Sequence, residues 1–553
     1  MSNFFKKYVF FIILGLIFLI AIFLRFYQLG NNPPSIDWDE ASLGYNAYSI
    51  LKTGADEYGN TFPLSFRSFD DYKPPVYIYL TVPSIVVFGL TEFAVRLPAA
   101  IIGVFSILIV YFLTKEIFIR WDRRFKEYVA LAASFFLAIS PWHLQFSRAA
   151  FEGNVGLFFL LSGILFFLIG IKKPFFFILA SLFFVVSLYS YHSFRLINPL
   201  ILIVLAVFFF KDLLRLKFFT ITALILFVLL SIPVYSSFVH PQGTGSRFSM
   251  VTIFSDSTLA ENTARQVAYD KSHNDFFNAF LHNRRFIYIG AITKGYFDHF
   301  GIDFLFFHGD GGVQHHAVNM GMLYVWDLPF ILLGIYFFLK KFDKRLGIFL
   351  ALFLLAPLPS AITTGTPHPV RAIAMIPAFQ IFSAVGFVGL MYEVLKQKRR
   401  IVKIGIILVV VGTLSANIVY YLKQYYIFTP VEYGYFWQYG NKEIISYAKD
   451  HESEYKKIII SYRYDQPYIY YLFYNKTDPF WYQKNWDFHK NGVIDRFRRV
   501  IGKYEFKNIE FTLENQNKNV LLIGTPDEIP KNSQTITEVK FPDGRIAYRI
   551  SHT

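Results

Sequence analysis

The sequence contains no cysteine, and charged residues fill only 17% of its 553 positions. The first absence excludes disulfides and thiolate metal sites. The second excludes an ordinary soluble domain, in which about a quarter of the residues carry charge. Internal repeats and low-complexity tracts are lacking as well, which removes the two-fold symmetry common in transporters.

What is there is apolar: 54% of residues are hydrophobic and 20% aromatic. They gather in long blocks separated by short charged loops, the pattern of membrane helices. The net charge of +15 sits largely beside those blocks, as in Lys172-Lys173, Lys340-Lys341 and Lys398-Arg399-Arg400. Basic loops of this kind report topology, and no nucleic-acid partner is expected.

Positive charge marks cytoplasmic loops. Lys6 and Lys7 place the N-terminus inside, and the first apolar run, 8–24, lacks a small-residue cleavage site before Arg25 and reads as a retained span. Further spans are predicted near 97–114, 128–143, 153–171, 174–191, 196–210, 218–236, 321–339, 346–362, 371–391 and 401–421. With the first they make about eleven crossings, a count that leaves the C-terminal region outside. Val76–Leu90 is too short to span comfortably and is read as interfacial or re-entrant. The expected arrangement is a multi-pass protein of the cell membrane, its membrane module covering 1–423. Its larger outer stretches are 25–75, 143–154 and 237–320. From 424 to 553 the sequence alternates apolar and polar residues, as in Lys457–Tyr462 and Asn519–Gly524, with breakers such as Pro526. That pattern predicts a soluble α/β domain on the outer face.

The chemistry-bearing residues fall on the outer stretches. Asp37-Trp38-Asp39-Glu40 crowds three carboxylates ahead of a helix predicted over Ala41–Lys52, with Gly54 as its stop. One of them is explained as a helix cap, and three exceed that need. Asp70-Asp71-Tyr72-Lys73-Pro74-Pro75 follows, where two prolines fix the chain and Lys73 offers a cation for a phosphate. Arg148 and Glu152 lie one helical turn apart near membrane depth, where charges tend to be functional or paired. Tyr191, His192, Arg195, Arg247, His316, His368 and Arg371 complete the set of pocket candidates. The run His308–His316 contains His and Asp, but its spacing fits no standard metal pattern, so no metal site is assigned and a divalent ion remains a minor alternative.

With these residues placed, the chain resembles the membrane-embedded C-type glycosyltransferases (the GT-C fold), among them the protein O-mannosyltransferases and the aminoarabinose transferases that modify lipid A. The resemblance is strongest over 8–200. It rests on Asp39-Glu40 in a long first outer loop, on Lys73-Pro74-Pro75 before an apolar helix, on Glu-Phe-Ala-Val-Arg-Leu-Pro at 92–98, and on the 147–152 turn. The resemblance implies a polyprenyl-phosphate-linked sugar as donor. It implies Asp39 as catalytic base, Lys73 as the donor-phosphate cation and Glu152 as a second acid where relatives often carry Asp. Tyr72 stands where the aminoarabinose branch has a zinc-binding Glu.

The expected reaction is an inverting transfer to an acceptor hydroxyl on a protein, lipid or glycan. Asp39, Glu40 and Glu152 are the candidate catalytic acids. Lys73, Arg148, Arg195 and Arg371 are the candidate phosphate-binding cations. A lipid or glycan flippase is the rival class; the gathering of charge at one membrane face favours the enzyme.

Overall fold

In the computed structural model the described residues are 3–69, 71–237, 250–340, 342–485, 499–516 and 518–553, the side chains of 3–7 excepted. All eleven predicted apolar blocks are helical. Among the described residues eight helices are long and apolar enough to cross a membrane: Tyr8–Phe26, Glu92–Ile117, Glu152–Gly170, Phe194–Arg215, Lys217–Ser236, Lys344–Ala361, Ile373–Lys396 and Arg400–Glu432. The other three blocks form shorter helices, Arg123–Ile139, Phe176–Ser190 and Asp327–Lys340. Several spans expose large apolar side chains, Leu408 at 65% and Val409 at 68% among them. Only lipid satisfies such a surface, and the chain is a polytopic helical membrane protein.

The chain divides into two compact units. One comprises 1–27, 99–147 and 151–422 and contains most of the apolar helices. Within it the helix Asp327–Lys340 packs along Ile376–Lys396. A side chain at Gly334 would stand 2.0 Å from the carbonyl of Phe382, so only glycine allows that approach.

The other unit comprises 28–98, 148–150 and 423–553. We label its first helices α1 (Trp38–Thr53) and α2 (Pro75–Phe88). Between them lies a hairpin of β1 (Phe66–Ser68) and β2 (Asp71–Lys73), in which Phe66 pairs with Lys73. The tail forms β3 (Lys457–Ile460), β4 (Arg499–Ile501), β5 (Tyr504–Phe506), β6 (Val520–Gly524), β7 (Thr535–Lys540) and β8 (Ile546–His552) in the order β4-β5-β3-β6-β8-β7. The two alternating stretches read from the sequence are β3 and β6, neighbouring parallel strands at the sheet centre. Between β3 and β4 the described residues form two more helices, α3 (Pro467–Tyr474) and α4 (Pro479–Asn485), both packed against α1. Gly44 permits this, because a Cβ there would fall 2.5 Å from Val95 Cγ2 and 2.7 Å from Phe473 Cε2. The Tyr45 hydroxyl donates to the Thr477 carbonyl at 3.1 Å, and Gln483 donates to Ser49, Thr53 and the Asp56 carbonyl.

Candidate functional site

The three carboxylates at the start of α1 have three different fates. Asp37 is the N-cap: its Oδ1 accepts the Glu40 N–H at 2.7 Å, and Glu40 accepts the Asp37 N–H in return. This reciprocal box starts the helix at Trp38, three residues earlier than the sequence predicts. Burial pushes the Asp37 carboxyl well above the usual carboxylate range, and the nearby charges of Glu40 and Asp39 push the same way. The Glu40 backbone N–H and Lys73 pull it partly back.

Glu40 is buried and gripped by Arg96, which donates from Nε to Oε1 at 2.9 Å and from Nη2 to Oε2 at 2.8 Å. Its Oε1 also accepts the Ala150 N–H at 2.8 Å. Arg96 in turn donates to the carbonyls of Leu29, Pro33 and Ser35. A buried pair is tolerated when every remaining donor and acceptor is satisfied in this way, and it then fixes the chain around it.

Asp39 is the carboxylate left at the surface. Its Oδ1 accepts a hydrogen bond from Lys73 Nζ at 2.6 Å, with the lysine side chain only 6% exposed and the aspartate 53% exposed. Lys73 reaches it because the hairpin ends there: Pro74 caps α2 and Pro75 is its first residue. Ser68 on β1 hydrogen-bonds Ser42 on α1 at 2.8 Å, tying hairpin to helix. Tyr72, half-buried, pairs across the hairpin with Arg67.

Arg148 lies in the same unit but is fully buried. It donates to the Asn32 carbonyl at 3.0 Å and the Tyr425 hydroxyl at 3.1 Å, with the Tyr425 and Tyr426 rings 5.3 and 5.2 Å from its guanidinium. The structure therefore brings together Asp37, Asp39, Glu40, Tyr72, Lys73 and Arg148 in one unit.

Glu152, Tyr191, His192, Arg195, His316, His368 and Arg371 belong to the other unit. There Glu152 opens the helix Glu152–Gly170, and Tyr191 and His192 follow the helix Phe176–Ser190. Arg195 donates to the Leu188 carbonyl at 3.4 Å. Arg371 donates to Thr363 Oγ1 at 2.6 Å and the Thr364 carbonyl at 2.9 Å. The His316 ring lies 3.0 Å from both the Asp310 and Ala317 carbonyls, and the His368 N–H donates to His299 Nε2 at 3.1 Å. Arg247 lies outside the described residues. His315 is bonded to Asp310 at 2.8 Å, and no group of three or more His, Asp or Glu is placed to hold a metal among the described residues.

Sequence reasoning did not single out Arg96 as a site residue, although an arginine opening an apolar helix demands a partner. It also passed over Glu57, which is buried, exchanges two hydrogen bonds with Asn46 and is pushed up to about 7 by burial, against the pull of Arg499.

Comparison with known proteins agrees with this architecture. The family described as dolichyl-phosphate-mannose-protein mannosyltransferase matches residues 72–236. No curated protein matches by sequence. The structure is similar to that of ArnT from Cupriavidus metallidurans bound to undecaprenyl phosphate, at 13% identity and a TM-score of 0.51, covering 99% of this chain and 98% of that one. It is also similar to the oligosaccharyltransferase AglB from Archaeoglobus fulgidus, solved with an inhibitory peptide and a dolichol-phosphate, at 16% identity and a TM-score of 0.52, covering 86% of this chain. The chain spans 64% of AglB's length in that structure. The fold is the GT-C fold with a C-terminal sheet domain.

Proposed function

We propose that this GT-C-fold chain transfers a sugar from a polyprenyl-phosphate donor to an acceptor hydroxyl at the outer membrane face, with Asp39 as general base and Lys73 as the donor-phosphate cation. The Asp39–Lys73 contact carries this reading. It sets a carboxylate and an ammonium side by side, the first open to solvent and the second sheltered, which supports a proton acceptor next to a cation for the donor phosphate. The match at 72–236 supports the glycosyl-transfer class, and the ligands named for ArnT and AglB support a lipid phosphate as the donor's carrier.

In the proposed step the incoming donor phosphate takes Lys73 from Asp39. The freed carboxylate accepts the proton of the acceptor hydroxyl while its oxygen attacks the anomeric carbon. The bond from that carbon to the phosphate oxygen breaks, and polyprenyl phosphate leaves with its negative charge held by Lys73. One displacement inverts the anomeric centre. Glu40, occupied by Arg96 and the Ala150 N–H, acts as a positioning residue, and Asp37 as the cap that starts α1. Arg148, enclosed by Asn32 and Tyr425, has a structural role. The test is incubation of the purified protein with polyprenyl-phosphate hexoses and pentoses and a membrane acceptor fraction. Release of polyprenyl phosphate with at least one donor is expected, and no release across the series removes the reading.

A further inference from the structure

The membrane helices hold a second site with a different chemistry. A cavity of about 510 Å³ opens between the N-terminal helix and the basic turn that joins Glu92–Ile117 to Arg123–Ile139. Its wall is divided by polarity. Phe10, Phe11 and Ile13 form one side, and Phe11 and Ile13 also face outward from the helix. Lys115, Arg123 and Arg124 form the other. The one lining carboxylate, Glu127, is already engaged, by Lys115 at 2.8 Å and by the Tyr111 hydroxyl at 2.8 Å. Phe10 meets Tyr128 edge to face at 5.5 Å and ties the apolar wall to the polar one.

Arg123 and Arg124 are exposed, and neither forms a salt bridge with a described residue. Asp122, next in sequence, caps the helix by accepting the N–H groups of Arg124 and Phe125 at 3.0 Å each. Two guanidiniums thus stand over an apolar trough beside lipid-facing side chains. One wall is charged and the other apolar, and no single small ion or alkyl group fits both. A molecule with an anionic head and an apolar stem does.

We propose that this cavity binds one anionic phospholipid. Its phosphate lies between Arg123 and Arg124, and its glycerol and first acyl carbons run along Phe10, Phe11 and Ile13. Arginine suits the phosphate because its planar fork donates two parallel hydrogen bonds. The excess of cations over the one engaged carboxylate selects a net-negative head over a zwitterionic one.

Native mass spectrometry of the delipidated, detergent-solubilised protein tests this, with phosphatidylglycerol and phosphatidylcholine added separately. One phosphatidylglycerol is expected to stay bound about tenfold or more tightly than phosphatidylcholine. The double variant Arg123→Gln/Arg124→Gln should lose that preference. Arg123→Lys/Arg124→Lys should keep most of it, and Lys398→Gln/Arg399→Gln, in a different basic loop, should keep all of it. Equal binding of the two lipids by the native protein overturns the proposal. So does an equal loss in the 123/124 and 398/399 glutamine variants, which would leave only diffuse attraction. Displacement by water-soluble glycerophosphate at matching concentration would reduce the site to a phosphate site and overturn the lipid assignment.

Discussion

Lys73 Nζ lies 2.6 Å from Asp39 Oδ1, joining the end of a hairpin to the first turn of α1 across 34 residues of sequence. The lysine is buried and its partner half exposed, and in the proposed reaction the donor phosphate takes the ammonium from the aspartate. Substituting Lys73→Met should therefore raise the donor KM by roughly 10- to 100-fold, the worth of one charge-assisted hydrogen bond. Steady-state kinetics over a donor series measures it. An unchanged KM would assign the phosphate to another cation.

Glu40 and Arg96 form the opposite kind of pair, buried on both sides. Removing one partner strands the other charge, at a cost of roughly 3–5 kcal/mol. Arg96→Met and Glu40→Gln should each lower the melting temperature in detergent far more than Asp39→Asn does. Comparable melting of all three would mean that Glu40 is not the residue that fixes α1.

Glu57 predicts a pH dependence of stability. Its carboxyl is pushed up to about 7 from an ordinary 4.5, chiefly by burial. Between those values the folded chain holds a proton that the unfolded chain has lost. This contribution is fully present below pH 4.5 and disappears as the pH rises through about 7, a swing of about 3 kcal/mol. Glu57→Gln mimics the protonated form. It should melt like the native protein at pH 4.5 and above it at pH 8; parallel curves would exclude this titration.

The tail grips the helix that carries Asp39. Gln483 reaches Ser49, Thr53 and Asp56, and Gly44 admits Phe473. Gly44→Ala should overpack this contact and cost about 1–3 kcal/mol. Gln483→Ala should lower kcat more than it raises donor KM, because the proposed base moves while the proposed phosphate cation stays on its hairpin. A change in KM alone would point to the tail as a binding surface instead.

Much of this was legible in the sequence because it is local. Gly54 stops α1 in the left-handed region at φ 71°, and the stretches 457–462 and 519–524 contain β3 and β6, which are short apolar runs buried on both faces rather than alternating ones. Long apolar blocks gave the helices, though three of them are shorter than a comfortable span. The site was legible in composition but not in assignment. Three adjacent carboxylates look alike until Arg96, 56 residues away, takes one and a capping box takes another. Arg148 reads as a candidate phosphate-binding cation, and the sequence does not show that in the fold it donates to Tyr425, 277 residues on. Such pairings depend on tertiary closure, which no local pattern encodes.

Asp39→Asn is the most direct test. The variant should fold, bind donor within a few-fold of the native protein, and release polyprenyl phosphate at a rate reduced roughly 10²–10⁴-fold, as expected for loss of a positioned base. Native turnover by that variant would contradict the assignment of Asp39, whatever the fate of donor binding.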